Sequence, residues 1–299
     1  MTRDPWPNSP KSSGKRIKSV SSTKKITRTM EMVATAKLKQ AQQRVQSSGP
    51  YLAQLRALMR EIGGSGVDVT RWPQFEAREG KRTLLFLLTA NRGLCGAFNA
   101  NLIRLARNTY LEKKEAGHEV RVHVAGRKGF TAFRYQGIPL ERTYMNELVD
   151  RPEPKDADFF LEALTRPFLE GEVDEVLIVY PHWETLAKQP PTLLRLLPIA
   201  PDTGTEAETK GAGVPPLFEP SPEAILDQLL PLYLRQTIYA VLSEAVAGEQ
   251  LARRMAMKLA TDNANEMVTN LTRQYNRARQ ALITKELAEI LGGAEALRK

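Results

Sequence analysis

The sequence predicts an α/β protein in which a small globular domain is inserted between two long terminal helices that pair as an antiparallel coiled coil. Near the end of the chain, residues 260–291 contain neither glycine nor proline, and the run extends back to Leu232 with Gly248 as its one helix-weakening residue. A helix of that length would extend about 90 Å, further than a compact domain can cover. Near the start, residues 16–62 are interrupted as a helix only by one Gly-Pro pair. Between these segments the hydrophobic period shortens to that of strands.

The first helix is predicted over 16–62, after a flexible tail at 1–15 that contains three prolines. Apolar and small residues recur along the helix at spacings of three and four, which define one narrow stripe typical of a coiled coil. Gly49 and Pro50 are expected to bend or loosen the helix, because proline removes an internal hydrogen bond. The stripe consists of Ile26, Met30, Ala34, Leu38, Ala41, Val45, Ser48, Leu52, Leu55, Met59 and Ile62.

The last helix is predicted over 223–292 and carries a similar narrow seam. Because the two helices lie at opposite ends of the chain, they are expected to run antiparallel, with small residues in both seams allowing a close approach. The second seam consists of Ala260, Ala264, Met267, Leu271, Tyr275, Ala278 and Leu282.

The middle of the chain alternates strand-like and helix-like segments, which is typical of a sheet with crossover connections. A Rossmann-like α/β domain is therefore predicted over 80–200, followed by a polar loop rich in glycine and proline at 201–222. The predicted strands are 82–89, 119–126, 174–181 and 191–199, and the predicted helices lie near 97–116, 127–136 and 156–170.

Positive charge is concentrated in the first helix. Residues 11–60 contain twelve Lys or Arg and a single acidic residue, Glu31, whereas residues 61–230 contain twenty basic and twenty-five acidic residues. A solvated helical face is the simplest interpretation of a charge run, but an imbalance of this size favours a negatively charged partner. Nucleic acid, a membrane surface and an acidic protein surface all satisfy that description.

Several classes of protein are disfavoured by composition. No apolar run approaches the ~20 residues that a membrane-spanning helix requires. The first residues lack the apolar segment of a secretory signal. Cys95 is the only cysteine, so the chain has no internal disulfide and fits a reducing cytoplasm.

No constellation of catalytic, cofactor-binding or metal-ligating residues is apparent. The turn containing Arg92, Gly93 and Gly96 follows a strand and opens a helix, yet it matches neither G-x-G-x-x-G nor the phosphate loop G-x-x-x-x-G-K-[ST]. A tight turn that needs glycine for its backbone is the better interpretation. The three histidines have no carboxylate or thiol at metal-binding spacing. The chain is therefore not expected to be an enzyme by itself.

Three separated segments, in this order along the chain, resemble the gamma subunit of F-type ATP synthases. They are "SVSSTKKITRTMEMVATAKLKQAQ" at 19–42, "RGLCGAFNANL" at 92–102, and the pair "GEQLARRMAMKLATDNA" and "LTRQYNRARQALITKELAEI" within 248–290. With the order of elements between them, the resemblance covers roughly residues 16–292.

The resemblance implies a central rotor shaft that carries torque between a membrane ring of c subunits and a hexamer of alpha and beta subunits. It also implies contact with an epsilon subunit, a peripheral position at the cytoplasmic face of the bacterial cell membrane, and no nucleic-acid partner. ATP synthesis coupled to ion flow would then belong to the complex, with catalysis in the beta subunits. From the residues alone, a basic coiled-coil protein that binds nucleic acid and a nucleotide-handling enzyme remain the alternatives.

Residue by residue, the resemblance implies hexamer contacts for eight positions on the two long helices and a structural role for the strand-helix turn of Arg92, Gly93 and Gly96. Two departures from the family stand out: the segment before Ile17 lacks the usual helical residues, and Arg254 replaces a common apolar residue. The eight positions are Lys25, Arg28, Met30, Gln250, Arg253, Thr261, Asp262 and Asn263.

Overall fold

The computed structural model describes residues 10–64, 67–147, 150–186, 188–200, 219 and 221–296. The chain divides into two compact units, the first formed by Met1–Ala34 with Arg253–Lys299 and the second by Thr35–Ala252. The predicted loop at 201–222 lies almost entirely outside the described residues.

Two helices dominate the chain: α1 covers Pro10–Gly64 and α5 covers Pro222–Ala296. The prediction of a flexible tail at 1–15 is wrong for residues 10–15, which are helical; residues 1–9 lie outside the described range. Proline has a fixed φ that suits a first helical position, so Pro10 can begin α1. The helix continues through Gly49 and Pro50, because proline removes a single hydrogen bond from a helix that its neighbours continue to hold.

The buried stripe of α1 follows spacings of three and four residues, as predicted, but it differs from the predicted stripe at one position. Ile26 is 60% exposed, whereas Thr27 is buried. In α5, Met267 and Leu282 are likewise exposed, while Ala264 is buried as predicted. Hydrophobicity was a poor guide here, since a coiled-coil seam follows its heptad register even where a polar residue occupies it. The remaining predicted positions of α1 are buried at Ala34, Leu38, Ala41, Ser48, Leu52, Leu55 and Ile62 and half-buried at Met30, Val45 and Met59.

The second unit contains a five-stranded sheet in the order β3-β2-β1-β4-β5, parallel except for β5. The predicted α/β class is therefore confirmed. The three-residue strand β3 was missed, because it is too short to show a hydrophobic period. The strands are β1 (Arg82–Leu88), β2 (Glu119–Ala125), β3 (Arg142–Tyr144), β4 (Glu175–Pro181) and β5 (Pro191–Leu197); the helices are α2 (Phe98–Glu115), α3 (Arg127–Tyr135) and α4 (Pro154–Leu169), with short 3₁₀ turns at Val69–Arg71 and Pro73–Phe75.

Each face of the sheet is covered by helices, as a parallel sheet requires. On one face, Leu85 and Leu87 of β1 pack with Leu102 of α2 and Phe133 of α3. The opposite core is larger and takes in α4 and residues 230–245 of α5. Its fully buried aromatic and aliphatic side chains include Leu84, Phe86, Leu88, Phe160, Leu164, Phe168, Val176 and Ile178.

Candidate partner-contact surface

In the first unit, α1 and α5 run antiparallel and are held in register by polar side chains. The hydroxyl oxygens of Thr27 and Thr261 lie 2.8 Å apart, and Lys24 Nζ donates to Asn265 Oδ1 at 2.7 Å. The second pair lies earlier than the first on α1 (Lys24 against Thr27) but later on α5 (Asn265 against Thr261), so the two helices run antiparallel. Small buried residues, Ala34 on α1 and Ala264 on α5, line the same unit.

The part of α1 in this unit presents two exposed faces, one on each side of its seam. Lys25, Arg28 and Met32 follow one another at spacings of three and four, so they share the first face. All three are exposed, Met32 by 58%. This face combines two positive charges with a bare apolar side chain, which suits an acidic and partly apolar partner.

The second exposed face of α1 is apolar. Ile26 and Val33 lie seven residues apart, and Met30 lies between them and is half-buried at the edge of the seam. Ile26 and Val33 are 60% and 52% exposed. Together the two faces leave much of the apolar surface of this part of α1 uncovered by the chain itself.

The outward face of α5 in the first unit carries two of the predicted contact residues. Asp262 and Asn263 are exposed. Leu259 and Met255, one and two turns earlier along the helix, are 63% and 58% exposed. The polar pair is therefore continuous with a bare apolar stripe.

Three predicted contact residues point inward instead. Thr261 is buried in the seam, where its hydroxyl also lies 2.8 Å from the carbonyl oxygen of Met257. Arg253 is only 9% exposed and already takes part in a polar or electrostatic interaction. Gln250, which belongs to the second unit, is 2% exposed. The eight predicted residues thus divide into an outward set (Lys25, Arg28, Asp262 and Asn263), an inward set (Gln250, Arg253 and Thr261), and Met30 at the boundary.

Sequence reasoning missed the bare apolar residues Ile26, Met32, Val33, Met255 and Leu259. Ile26 was assigned to the seam because it lies four residues before Met30, which fits the spacing of three and four. A strict heptad count back from Ala34 would have identified Thr27 as the seam residue, and hence Ile26 as outward.

The turn after β1 departs from regular geometry at two residues. Gly96 has a φ of 56° and Leu94 a φ of 62°, both in the left-handed region. Gly93 does not need to be glycine for space, because an added Cβ would lie 3.5 Å from the nearest atom of Lys128, an ordinary contact. Asn99 holds the turn together: its Oδ1 accepts from Ala90 N at 2.9 Å and its Nδ2 lies 3.0 Å from Cys95 Sγ.

The crevice where an open α/β sheet usually binds a ligand is filled by α5. That crevice lies beyond the carboxyl ends of β1 and β4, where the strand order reverses. A Cβ added to Gly248 of α5 would lie 3.2 Å from Pro181 at the end of β4 and 3.4 Å from Phe98 at the start of α2. Glu244, one turn earlier, accepts a hydrogen bond from Trp183 N at 2.8 Å. The helix therefore occupies the position that a nucleotide would take.

The amino end of α3, a second possible phosphate site, is also used internally. Its first amides donate to groups at the end of β1: Arg127 N to Asn91 Oδ1 at 3.0 Å and Gly129 N to Thr89 Oγ1 at 2.9 Å. Amides satisfied in this way have no bonding capacity left for an anion.

The histidines have structural partners. His118 Nδ1 lies 3.0 Å from Thr83 Oγ1, and His182 Nδ1 lies 2.9 Å from Glu244 Oε2. His123 is buried beside Tyr144, and this burial lowers its pKa to about 4. Across the described ranges, no group of three or more His, Cys, Asp or Glu could hold a metal ion. No helix in the described part of the chain is long and apolar enough to cross a membrane.

Comparison with known proteins gives one consistent family. The family model described as "ATP synthase" matches residues 9–297. The chain is 46% identical over 288 residues to the ATP synthase gamma chain of Gemmatimonas aurantiaca, covering 95% of this chain and 97% of that protein. It is 41% identical over 290 residues to the ATP synthase gamma chain of Leptospira biflexa, covering 96% and 99% respectively.

Solved structures share the fold at lower identity. A chain of the Euglena gracilis mitochondrial ATP synthase, in a structure of the OSCP/F1/c-ring, superposes with a TM-score of 0.66 at 21% identity, covering 96% of this chain and 94% of that chain. A chain of the Tetrahymena thermophila mitochondrial ATP synthase, in a structure of the central stalk and c-ring, gives a TM-score of 0.59 at 21% identity, with 79% and 99% covered.

Proposed function

The chain belongs to the family of ATP synthase gamma chains, and from that premise we propose that it is the central rotor shaft of an F-type ATP synthase. In this role it transmits torque between a membrane ring of c subunits and a catalytic hexamer of alpha and beta subunits, and so couples ion flow to ATP synthesis or hydrolysis. The observation that carries the proposal is the pair of long helices whose exposed faces in the first unit are apolar and basic.

Those faces suit a bearing surface inside a protein ring. A soluble protein rarely leaves a contiguous apolar surface bare unless a partner covers it. The outward residues Leu259 and Met255 on α5, and Ile26 and Val33 on α1, are each more than half exposed. Lys25 and Arg28 add positive charge beside them, which would steer an acidic partner segment into place. Different side chains face outward on the two helices, so rotation would present a changing surface to each subunit of the ring and favour different conformations in turn.

We further propose that the chain is not catalytic by itself and that nucleotide chemistry belongs to its partners. The crevice in which an α/β sheet usually binds a ligand is occupied by Gly248 and its neighbours. The amides at the amino end of α3, where a phosphate could otherwise bind, donate hydrogen bonds to Asn91 and Thr89 instead. The partners are the alpha and beta subunits, an epsilon subunit and the c-ring. The chain would lie peripherally at the cytoplasmic face of the bacterial cell membrane, without inserting into it.

Reconstitution tests the proposal directly. The chain is mixed with alpha and beta subunits from the same source, the product is weighed by native mass spectrometry, and ATP hydrolysis is compared with and without the chain. One copy per hexamer with raised hydrolysis is the expected result. An intact hexamer that takes up no chain would contradict the shaft. Binding of DNA at useful affinity, lost steeply with added salt, would then support the nucleic-acid alternative.

A further inference from the structure

An open recess of about 380 Å³ in the second unit is lined almost entirely by charged side chains. One wall is a single face of α1, where Lys37, Gln40 and Arg44 follow one another at spacings of three and four. The other wall is the segment that leads into α4 and the first turn of that helix, including Arg151 and Lys155. The remaining lining residues are Asp150, Glu153 and Asp156. The proposed shaft function does not use this recess.

The carboxylates of the recess already form hydrogen bonds or ion pairs with other groups of the chain. Glu153 and Asp156 form a capping box at the start of α4, in which Glu153 N donates to Asp156 Oδ2 at 2.7 Å. Glu153 also pairs with Lys155 at 2.9 Å, and Asp150 pairs with Lys37 at 2.5 Å. The acidic groups are therefore largely neutralised where they stand.

The two arginines of the recess, Arg44 and Arg151, differ from the carboxylates in having no such partner among the described residues. Within the ranges that the structure describes, neither the Arg44 nor the Arg151 guanidinium forms a hydrogen bond or ion pair with another side chain. Both line the same recess, Arg44 from α1 and Arg151 from the segment before α4. A guanidinium presents a planar fork of donors that matches the oxygens of a phosphate. Two such forks in one recess would hold one anion together.

We propose that this recess binds a compact polyphosphate anion, held by the guanidinium groups of Arg44 and Arg151, while the two lysines of the lining remain paired with its carboxylates. The size of the recess exceeds what a single phosphate group needs, so a ligand with more than one phosphate fits better. The lining contains no aromatic or aliphatic side chain on which a nucleobase could stack. The chemistry of the walls therefore favours an inorganic polyphosphate over a nucleotide. Bound there, the anion would tie the segment before α4 to α1.

The test is calorimetric titration of the full-length chain with pyrophosphate, without magnesium and at low ionic strength. Saturable binding of one pyrophosphate per chain is expected, and it should weaken steeply with salt. Arg44→Gln and Arg151→Gln should each weaken binding by about tenfold, since each removes a charged, bidentate contact. Arg107→Gln is the matched control, because Arg107 is an exposed arginine on α2 outside the recess. It should change affinity by less than about twofold.

Three outcomes would overturn the proposal: no saturable binding, an equal loss with Arg107→Gln, or ADP binding at least about tenfold more tightly than pyrophosphate, which would mean that the base is recognised. Circular dichroism of each variant separates a lost site from a lost fold. The titration uses the chain without partners, so its failure leaves the shaft proposal intact.

Discussion

The hydroxyl oxygens of Thr27 on α1 and Thr261 on α5 lie 2.8 Å apart in a buried seam. Each oxygen also lies within hydrogen-bonding distance of a carbonyl one turn earlier, Lys24 O at 3.1 Å and Met257 O at 2.8 Å. Only one relative position of the two helices brings these hydroxyls together. A polar pair at a seam position is a common way for a coiled coil to fix its register.

Replacing one threonine of this pair should therefore cost more than replacing both. Thr27→Val or Thr261→Val removes one hydrogen bond from the buried pair, and each should lower the stability of the first unit by about 1 kcal/mol. The double variant should lie within about 0.5 kcal/mol of the original chain, because two isosteric methyl groups pack against each other and neither faces a polar group across the seam. Hydrogen exchange of the α5 amides around Thr261 measures the difference. Strictly additive losses would show that the two hydroxyls are not coupled.

The outward faces of the first unit should control function without controlling folding. Leu259→Asp, or Lys25→Glu combined with Arg28→Glu, should reduce the affinity of the chain for the alpha/beta hexamer by roughly tenfold, since each change places a negative charge on a contact surface. The readout is the chain concentration that half-maximally stimulates ATP hydrolysis. Arg107→Glu, on the exposed side of α2, serves as the control. If it has the same effect, the loss reflects overall charge and not the proposed surface.

Gly126 at the end of β2 should be the least replaceable glycine of the sheet. Its φ is 99°, and an added Cβ would lie 2.0 Å from the carbonyl oxygen of Thr89, which is far inside contact distance. Gly126→Ala should cost more than about 3 kcal/mol, because backbone atoms must move. Gly137 isolates the backbone effect: its φ is 70° and it has no neighbour within 4 Å, so Gly137→Ala should cost only about 1 kcal/mol. Urea unfolding followed by circular dichroism checks both values, and equal losses would rule out the steric explanation.

His123 should make the second unit less stable in acid. Burial, and then the positive charges of Arg142 and Arg121, lower its pKa to about 4. Tyr144 OH lies 3.3 Å from Nδ1, and Glu141 Oε2 lies 3.4 Å from Nε2. Because the folded pKa lies below the unfolded value, the unfolded chain binds more protons between pH 6.5 and 4. The stability contributed by neutral His123 is thus complete above pH 6.5 and is lost as pH falls towards 4.

The expected loss from this residue is about 2 kcal/mol between pH 7 and pH 4.5. His123→Gln removes the titration, so the difference in unfolding free energy between the two pH values should shrink by about that amount. Carboxylates such as Asp174, whose pKa is lowered by its hydrogen bonds with Arg82, also lose stability in acid. They do so equally in both proteins and cancel in the comparison. If the unfolding free energy of the variant depended on pH as strongly as that of the original chain, groups other than His123 would cause the acid sensitivity.

The sequence alone predicted most of the secondary structure and the family. Long runs with few glycines and prolines predicted both long helices, and short apolar runs predicted four of the five strands within one or two residues of their observed ends. Such patterns are local, since each depends on the spacing of side chains along one segment. The three motifs that resemble gamma subunits are also local, because they can be recognised without knowing which residues they contact in the folded chain.

The tertiary structure decided which side chains face outward and whether the α/β domain has room for a ligand. Ile26 and Thr27 are neighbours in sequence, and only the pairing of α1 with α5 determines that the threonine is buried and the isoleucine bare. Likewise, the sequence gives no sign that Gly248, more than sixty residues after β4, fills the crevice at the end of that strand. Both outcomes depend on contacts between segments far apart in the chain. A local pattern limits such contacts but does not choose among them, because several registers bury similar amounts of apolar surface.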